Sequence, residues 1–561
     1  MAVTSQAELV KTPELEKPEG TFRPRLLGTL VMKEVHDLAL TMRFSVGTVI
    51  AVALAILAAY VGSLDYNARL ESYQTKIRLN KHDVERTTVY SFLAPTLVRP
   101  PEPLSILNHG LEGRVGTDFG ISVDTENTEA VGENRGNEYL AVFSEVDLSV
   151  IVGVILGLLA LLFTFDAVCG EREGGTLKLA MSYALPRWQL LLGKYLGAWI
   201  TLMLPTVLAC LLSLAVVGWA ARVNLGVAEF GRIALLFLGY GLYLSLMLLV
   251  GLVISCFAQR SSLALVFAAF FWFFFVVIVP NLATMVPDFV GDRASVYQRA
   301  RQGLRDTDRE QEGLVKEIKD PRLDMSVGFY LAINNSSGSY TQYECRWGDR
   351  KYYEMLVASF SKIIPLSLRM ASKRAEIWRE YIRYRERQAS QARVLSFFSP
   401  TSVLVNTDGY LSGTSPADYQ RYIALASQYR KTFLDYLARK NAFSSYRWFT
   451  EDPPDEDRCW TTLLLGKTAD EMTASGAKLE ETINGVLNDP ETFKKAAQFD
   501  TEAQKSPGWT LSLNDVPQFT YTRMRAGQVL VTAAPEILYL LVLNLVLFLV
   551  AFVRFVRYDV R

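Results

Sequence analysis

The sequence is poor in the residues that carry catalysis. Of 561 residues only three are histidines. His36, His82 and His109 all fall in the first fifth of the chain, and none sits in a recognisable motif. That leaves little for a histidine-based nucleophile relay or a histidine metal cluster. Acidic and basic residues number 58 each, so the formal charge is zero and no basic surplus points to nucleic acid. A phosphate-cradling loop is missing as well. Gly466-Lys467-Thr468 matches only the tail of G-x-x-x-x-G-K-[ST], with Thr461 where the first glycine belongs, and Gly193-Lys194 is followed by Tyr195. The chain is therefore not expected to bind ATP, a cofactor or a metal, or to be an enzyme. Acidic pairs such as Glu451-Asp452 read as a solvated loop. The first twenty residues hold no apolar run with a small-residue cleavage site, so no cleaved signal peptide is expected.

Cysteine is scarce too, at five residues. Cys210 and Cys256 lie in apolar runs and Cys169 in a polar break. Cys345 and Cys459 share the long polar region. In an oxidising compartment that pair could close one disulfide; otherwise they are two unrelated thiols.

What the chain does have is apolar length. Half of it is hydrophobic while 21% is charged, the mixture of a membrane protein with a large water-exposed part. A membrane span needs about 20 apolar residues, and six segments qualify: 44–64, 146–165, 190–217, 233–257, 263–286 and 529–553. The expected fold class is an all-α polytopic membrane protein with six transmembrane helices. Residues 1–22 read as a disordered tail. Residues 23–43 read as an interfacial amphipathic helix, with Leu26, Leu27, Leu30, Val31, Val35, Leu38, Ala39 and Met42 on one face and Lys33, Asp37, Thr41 and Arg43 on the other.

Short-loop charge sets the orientation. Arg23, Arg25, Lys33 and Arg43, then Lys178, Arg187 and Lys194, then Arg260, then Arg554, Arg557 and Arg561 share one side. The other side has only Arg222 and Arg232 in its one short loop. Both termini and the 166–189 break are thus expected in the cytoplasm of a multi-pass inner or plasma membrane protein, with 554–561 a cytoplasmic tail. Residues 65–145 and 287–526 face outward. The second of these is expected to be a large, mainly helical domain, with helices in 294–318, 367–395 and around Tyr419–Leu437, and short β pieces between Asp320 and Tyr353.

Within the spans, Gly153-x-x-x-Gly157 allows close helix packing. Tyr240, Tyr243 and Ser245 place hydroxyls on one part of the fourth span, and Pro280 and Asn281 could line a path or break a helix in the fifth. No charged residue is read as lying mid-span, which argues against a carrier built on buried carboxylates.

The stretch between the second and third spans, FDAVCGEREGGTLKLAMSYALPRWQLLLGKYLG, is the exception to this apolar pattern. It packs charge around Gly174-Gly175 and cannot face lipid. Asp166 is placed to cap the helix that follows it. Gly170-Glu171-Arg172-Glu173, Gly175-Thr176, Arg187 and Gly193-Lys194 resemble the G-E-R-E-x-G-T and R-x-x-L-L-L-G-K elements of ABC-2 type transporter permeases. PPEPLSIL and FFSPTSVLVNTDGYLSGT are similar to the subgroup with a long insert between spans five and six, which includes gliding-motility and nitrous-oxide-reductase-maturation permeases. The resemblance implies that Glu171, Arg172, Glu173, Thr176, Arg187 and Lys194 contact a separate ATPase subunit, which would bind the ATP. It also implies a second permease subunit, identical or paralogous, and export rather than import. An outer protein partner for the large domain is the further expectation. A mechanotransmitter that works this domain without moving a substrate is the alternative.

Overall fold

The computed structural model describes residues 24–132, 147–178, 186–318, 329–334, 341–346, 350–449, 489–491, 494 and 510–557. Gly466-Lys467-Thr468 and Cys459 lie outside them.

Helix α1, Pro24–Ala39, precedes α2, Met42–Glu85. Thr41 separates them and caps α2, its hydroxyl accepting from the Phe44 N–H at 3.2 Å. Expected span 44–64 runs on without interruption into the outward loop as α2, 44 residues long. At 1.5 Å per residue that is about 66 Å, roughly twice the thickness of a bilayer's apolar core.

Helix α3 is one run made of Leu148–Val150, a π-helical stretch Ile151–Leu156 and Gly157–Thr164. It is followed by the short α4, Cys169–Glu173. Next come α5, Arg187–Ala220, and α6, Val227–Phe257. Helix α7 joins Ser261–Trp272, a π-helical stretch Phe273–Ile278 and Val279–Val290. The last helix of the bundle, here α12, is Ala526–Val556. Each of the six expected spans falls in a helix long and apolar enough to cross a membrane.

The remaining elements build the domain. They are α8, Arg293–Ile318; strands β3, Phe329–Asn334, and β4, Thr341–Arg346; α9, Arg350–Ser396; α10, Pro400–Ser412; and α11, Pro416–Arg439. The β pieces expected after Asp320 are the antiparallel β3–β4 hairpin, with Cys345 opposite Tyr330. A seventh helix, α9, also meets the length and composition of a span over Glu354–Ser396. Its apolar positions Leu356, Phe360 and Ile364 are nevertheless buried in the domain core.

That core joins both large loops. Leu93, Leu97, Phe119 and Ile121 from the first pack with α9 and with Tyr422, Ala426, Phe433, Tyr436 and Leu437 of α11. A short ladder, β1 (Thr96–Val98) with β2 (Asp118–Gly120), lies against them. Arg430 of α11 donates to the Ser122 and Val123 carbonyls at 3.0 and 3.1 Å, and Tyr422 donates to the Thr117 carbonyl at 2.8 Å. Residues distant in sequence are thereby sewn into one domain, and α11 buries the face its periodicity marks.

One segment departs from the expected layout. Helix α10, within the stretch read as part of the outward domain, is inserted into the helix bundle between α6 and α12. Val403 is buried with Leu161, Leu246, Val250 and Leu540. Thr401 meets the Gly153 face of α3, where a Cβ would lie 2.9 Å from its methyl group. Gly157 accepts the Tyr243 ring in the same way, at 2.8 Å from the hydroxyl. The Gly153-x-x-x-Gly157 pair therefore makes room for a buried half-length helix and a tyrosine. Helices α9 and α10 form a hairpin that dips into the bundle and returns. Arg393 at its tip pairs with Glu536 of α12, and Tyr539 donates to the Phe397 carbonyl at 2.8 Å. The spans are thus not free of buried acids. Glu536 and Asp408 are both 0% exposed inside the bundle. Glu536 stands early in the expected span 529–553 and Asp408 in a stretch read as part of the outward domain, so neither was counted as mid-span.

Candidate functional site

The polar break is assembled where α3 stops. Its helix ends at Thr164, and the N–H groups of Val168 and Cys169 at the start of α4 would be unsatisfied. The Ser255 hydroxyl of α6 accepts both, at 2.9 and 3.1 Å. Asp166 does not cap α4 with its side chain as expected. Its backbone carbonyl accepts from Gly170 at 2.8 Å, while its carboxylate pairs with Arg43 of α2 at 3.2 Å. The Arg43 guanidinium also lies 5.1 Å from the Phe165 ring centre. Helix α4 closes on Gly174, and Gly175 follows with φ +70°, the left-handed geometry that glycine takes without steric cost.

The six residues implicated by the resemblance divide into two groups. Lys194 and Glu171 turn inward. The Lys194 ammonium, 3% exposed, sits 2.6 Å from Glu171 and 3.0 Å from Glu34 of α1. Helix α1 reaches α5 closely enough because two glycines flank the lysine. A Cβ on Gly193 would lie 3.0 Å from Leu30, and one on Gly197 2.6 Å from Glu34. The other four side chains face outward. Arg172, Glu173, Thr176 and Arg187 are exposed at the end of the bundle where the polar break lies, its hinge end. Glu173 accepts from the Ser261 hydroxyl of α7 at 2.6 Å, and Arg187 donates to the Val556 carbonyl of α12 at 2.6 Å.

The break is thus tied by polar contacts to α2, α5, α6, α7 and α12, and through Lys194 of α5 to α1. Two anions share one buried cation, so the Glu34–Lys194–Glu171 triad carries more attraction than a single exposed pair. Glu34 was missed at the level of sequence. The available signal was an acid on the otherwise apolar face of α1, between Val31 and Leu38, opposite Gly193-x-x-x-Gly197. Among the described residues no group of three or more His, Cys, Asp or Glu side chains is placed to hold a metal ion.

Known proteins are similar to this chain in sequence. A family model for the ABC-2 family transporter protein matches residues 29–416. The ABC transporter permease protein NosY of Pseudomonas aeruginosa is 37% identical over 131 residues, 22% of this chain and 45% of the relative. Its namesake from Stutzerimonas stutzeri is 34% identical over 131 residues, with the same coverage. Both are named as probable permeases, and the chain spans 45% of the length of these curated relatives. With its apolar helical bundle and a family match that covers most of its length, the chain is an integral membrane protein belonging to the ABC-2 transporter family.

Proposed function

We propose that the chain is the permease subunit of an ATP-driven transporter and that a separate ATP-hydrolysing subunit docks on the exposed face of the break. Arg172, Glu173, Thr176 and Arg187 present the docking surface. Glu171 and Lys194 pass movement inward through Glu34 to α1. The observation that carries this reading is the Glu34–Lys194–Glu171 triad around a buried lysine, which ties α1, α4 and α5 together. Positive charge in the short loops supports a cytoplasmic position for the break and both termini. A second permease subunit would complete the assembly, and export is the direction the family favours.

A second reading has its own support. In mechanotransmission, the same motion would work the domain on an outer protein partner and carry no substrate through the membrane. Helix α10 fills the interior of the bundle, and α2 runs unbroken from the hinge end into the domain. Both features suit the delivery of force to the domain.

The test is purification of the full chain from native membranes with its associated nucleotide hydrolysis. Arg172→Glu with Thr176→Arg should remove most co-purifying, vanadate-sensitive ATPase activity, and Lys431→Glu on α11 should not. Retention of that activity by the double variant would sink the docking surface.

A further inference from the structure

Helix α10 carries one acidic side chain, Asp408, into the bundle interior. It is 0% exposed, and among the described residues its carboxylate oxygens make no well-aligned hydrogen bond, the Ser149 and Tyr240 hydroxyls being the donors beside them. Tyr240 of α6 is also 0% exposed, and its hydroxyl lies beside Ser149 and Asp408 without a well-aligned hydrogen bond to a described residue. Four groups from three elements face Asp408. They are Asp147 and Ser149 at the start of α3, Tyr240, and Cys210 of α5. None of them is cationic.

Asp147 is already engaged. Its Oδ1 accepts from the Val150 N–H at 2.9 Å and its Oδ2 from the His109 N–H at 3.1 Å. Ser149 accepts from the Asn108 side chain at 2.9 Å. The nearby cation at the hairpin tip, Arg393, is paired with Glu536.

An ionised carboxylate in this setting is strongly disfavoured, because the described residues around it supply no counter-charge and only two hydroxyl donors. Two neighbouring carboxylates also resist ionising together. Asp147 has two backbone donors that stabilise its negative form, and Asp408 has none. The proton therefore belongs to Asp408. A buried polar thread connects this point with the domain. Asn108 accepts from Thr414 at 3.4 Å, and the Thr414 hydroxyl shares a hydrogen bond with Ser412 at 2.8 Å. Asn108, Ser412 and Thr414 are each at most 1% exposed.

We propose that Asp408 is a proton-binding site inside the bundle, with the Tyr240 and Ser149 hydroxyls beside the bound proton, and that the filled site holds α10 between α6 and α12. Loss of the proton would leave a bare carboxylate there and favour withdrawal of the α9–α10 hairpin. This site is separate from the polar break and does not depend on what docks there.

Infrared spectroscopy of the full chain in lipid nanodiscs tests the proposal. At neutral pH the wild type should show the carbonyl stretch of an un-ionised acid that Asp408→Asn lacks. On raising the pH that band should fall by about tenfold per pH unit beyond its midpoint. The wild-type melting midpoint should fall over the same range, and that of Asp408→Asn should stay nearly level. A wild-type-minus-Asp408→Asn spectrum with ionised carboxylate bands at neutral pH would overturn the proposal. So would an acid band that appears only when sodium is withheld, since the occupant would then be a metal cation. Should Asp408→Asn fail to fold, Tyr240→Phe retains the acid. It should shift the frequency of the band, and an unshifted band would overturn the placement of the proton.

Discussion

Tyr243 of α6 donates its phenolic proton to the Gly153 carbonyl of α3 at 2.6 Å. The acceptor lies in the π-helical stretch Ile151–Leu156, where the wider turn disrupts the regular backbone pairing. The Thr401 hydroxyl of α10 lies 3.0 Å from the same phenol. One buried hydroxyl thus joins α3, α6 and the inserted helix.

Removal of that hydroxyl should therefore be felt across all three helices. Tyr243→Phe keeps the ring and leaves a buried carbonyl without its donor, a loss of about 1–3 kcal/mol. Thermal unfolding in detergent, followed by tryptophan fluorescence, measures it. An unchanged midpoint would show that the contact contributes nothing net.

The triad behind the polar break should respond more strongly. Lys194→Met strands Glu34 and Glu171 without their cation and should destabilise the protein by about 3 kcal/mol. Adding Glu34→Gln and Glu171→Gln should recover much of the loss, because the penalty lies in the abandoned charges. The measurement is the unfolding midpoint of the single and triple variants. Equal midpoints would mean that the lysine acts by packing alone.

The domain should lose stability as pH rises from about 4 to about 7. Burial pushes the Glu102 carboxyl up to about 7, against the pull of Arg523 and Arg99 and with help from Glu112. Burial pushes Asp124 up to about 6 against Arg374 and Arg430. In the unfolded chain such groups titrate near 4. The folded domain therefore keeps protons that the unfolded chain releases. Its stability is fullest below the unfolded values and declines as pH climbs to about 7. Glu102→Gln should flatten the upper part of that decline in a series of melting curves. A midpoint that climbs over this range would contradict the assignment.

The parts of this architecture that were legible in the sequence share a physical cause. Each of the six spans is a continuous apolar run longer than any soluble core requires. The helix expected around Tyr419–Leu437 is α11, and Tyr422, Ala426, Phe433 and Leu437, which pack into the domain, recur at helical spacing. Helix α10 gave no such signal. It is 13 residues long, too short to span, and Thr401, Ser402, Asn406, Thr407 and Asp408 make it look like a surface segment. Its burial follows from contacts with Gly153, Tyr243 and Leu540 that belong to other helices. The Lys194 triad was half visible. Lys194 and Glu171 stood in the charged stretch, but Glu34 lies far away in sequence and reaches them only because α1 folds back onto α5. The role of Asp166 was misjudged for a related reason, since Arg43 approaches from a different helix and engages its carboxylate.

The unbroken length of α2 has a geometric consequence. Its first residues lie beside the polar break, where Arg43 holds Asp166. Its last turns reach the domain, where Lys76 holds Asp118 of β2 at 2.6 Å. A rod of about 66 Å that tilts by roughly 5° about one end displaces the other by about 6 Å. That exceeds the rise of a full helical turn. A rotation too small to break the packing at the hinge end is enough to slide the domain past a bound neighbour by more than the width of a residue.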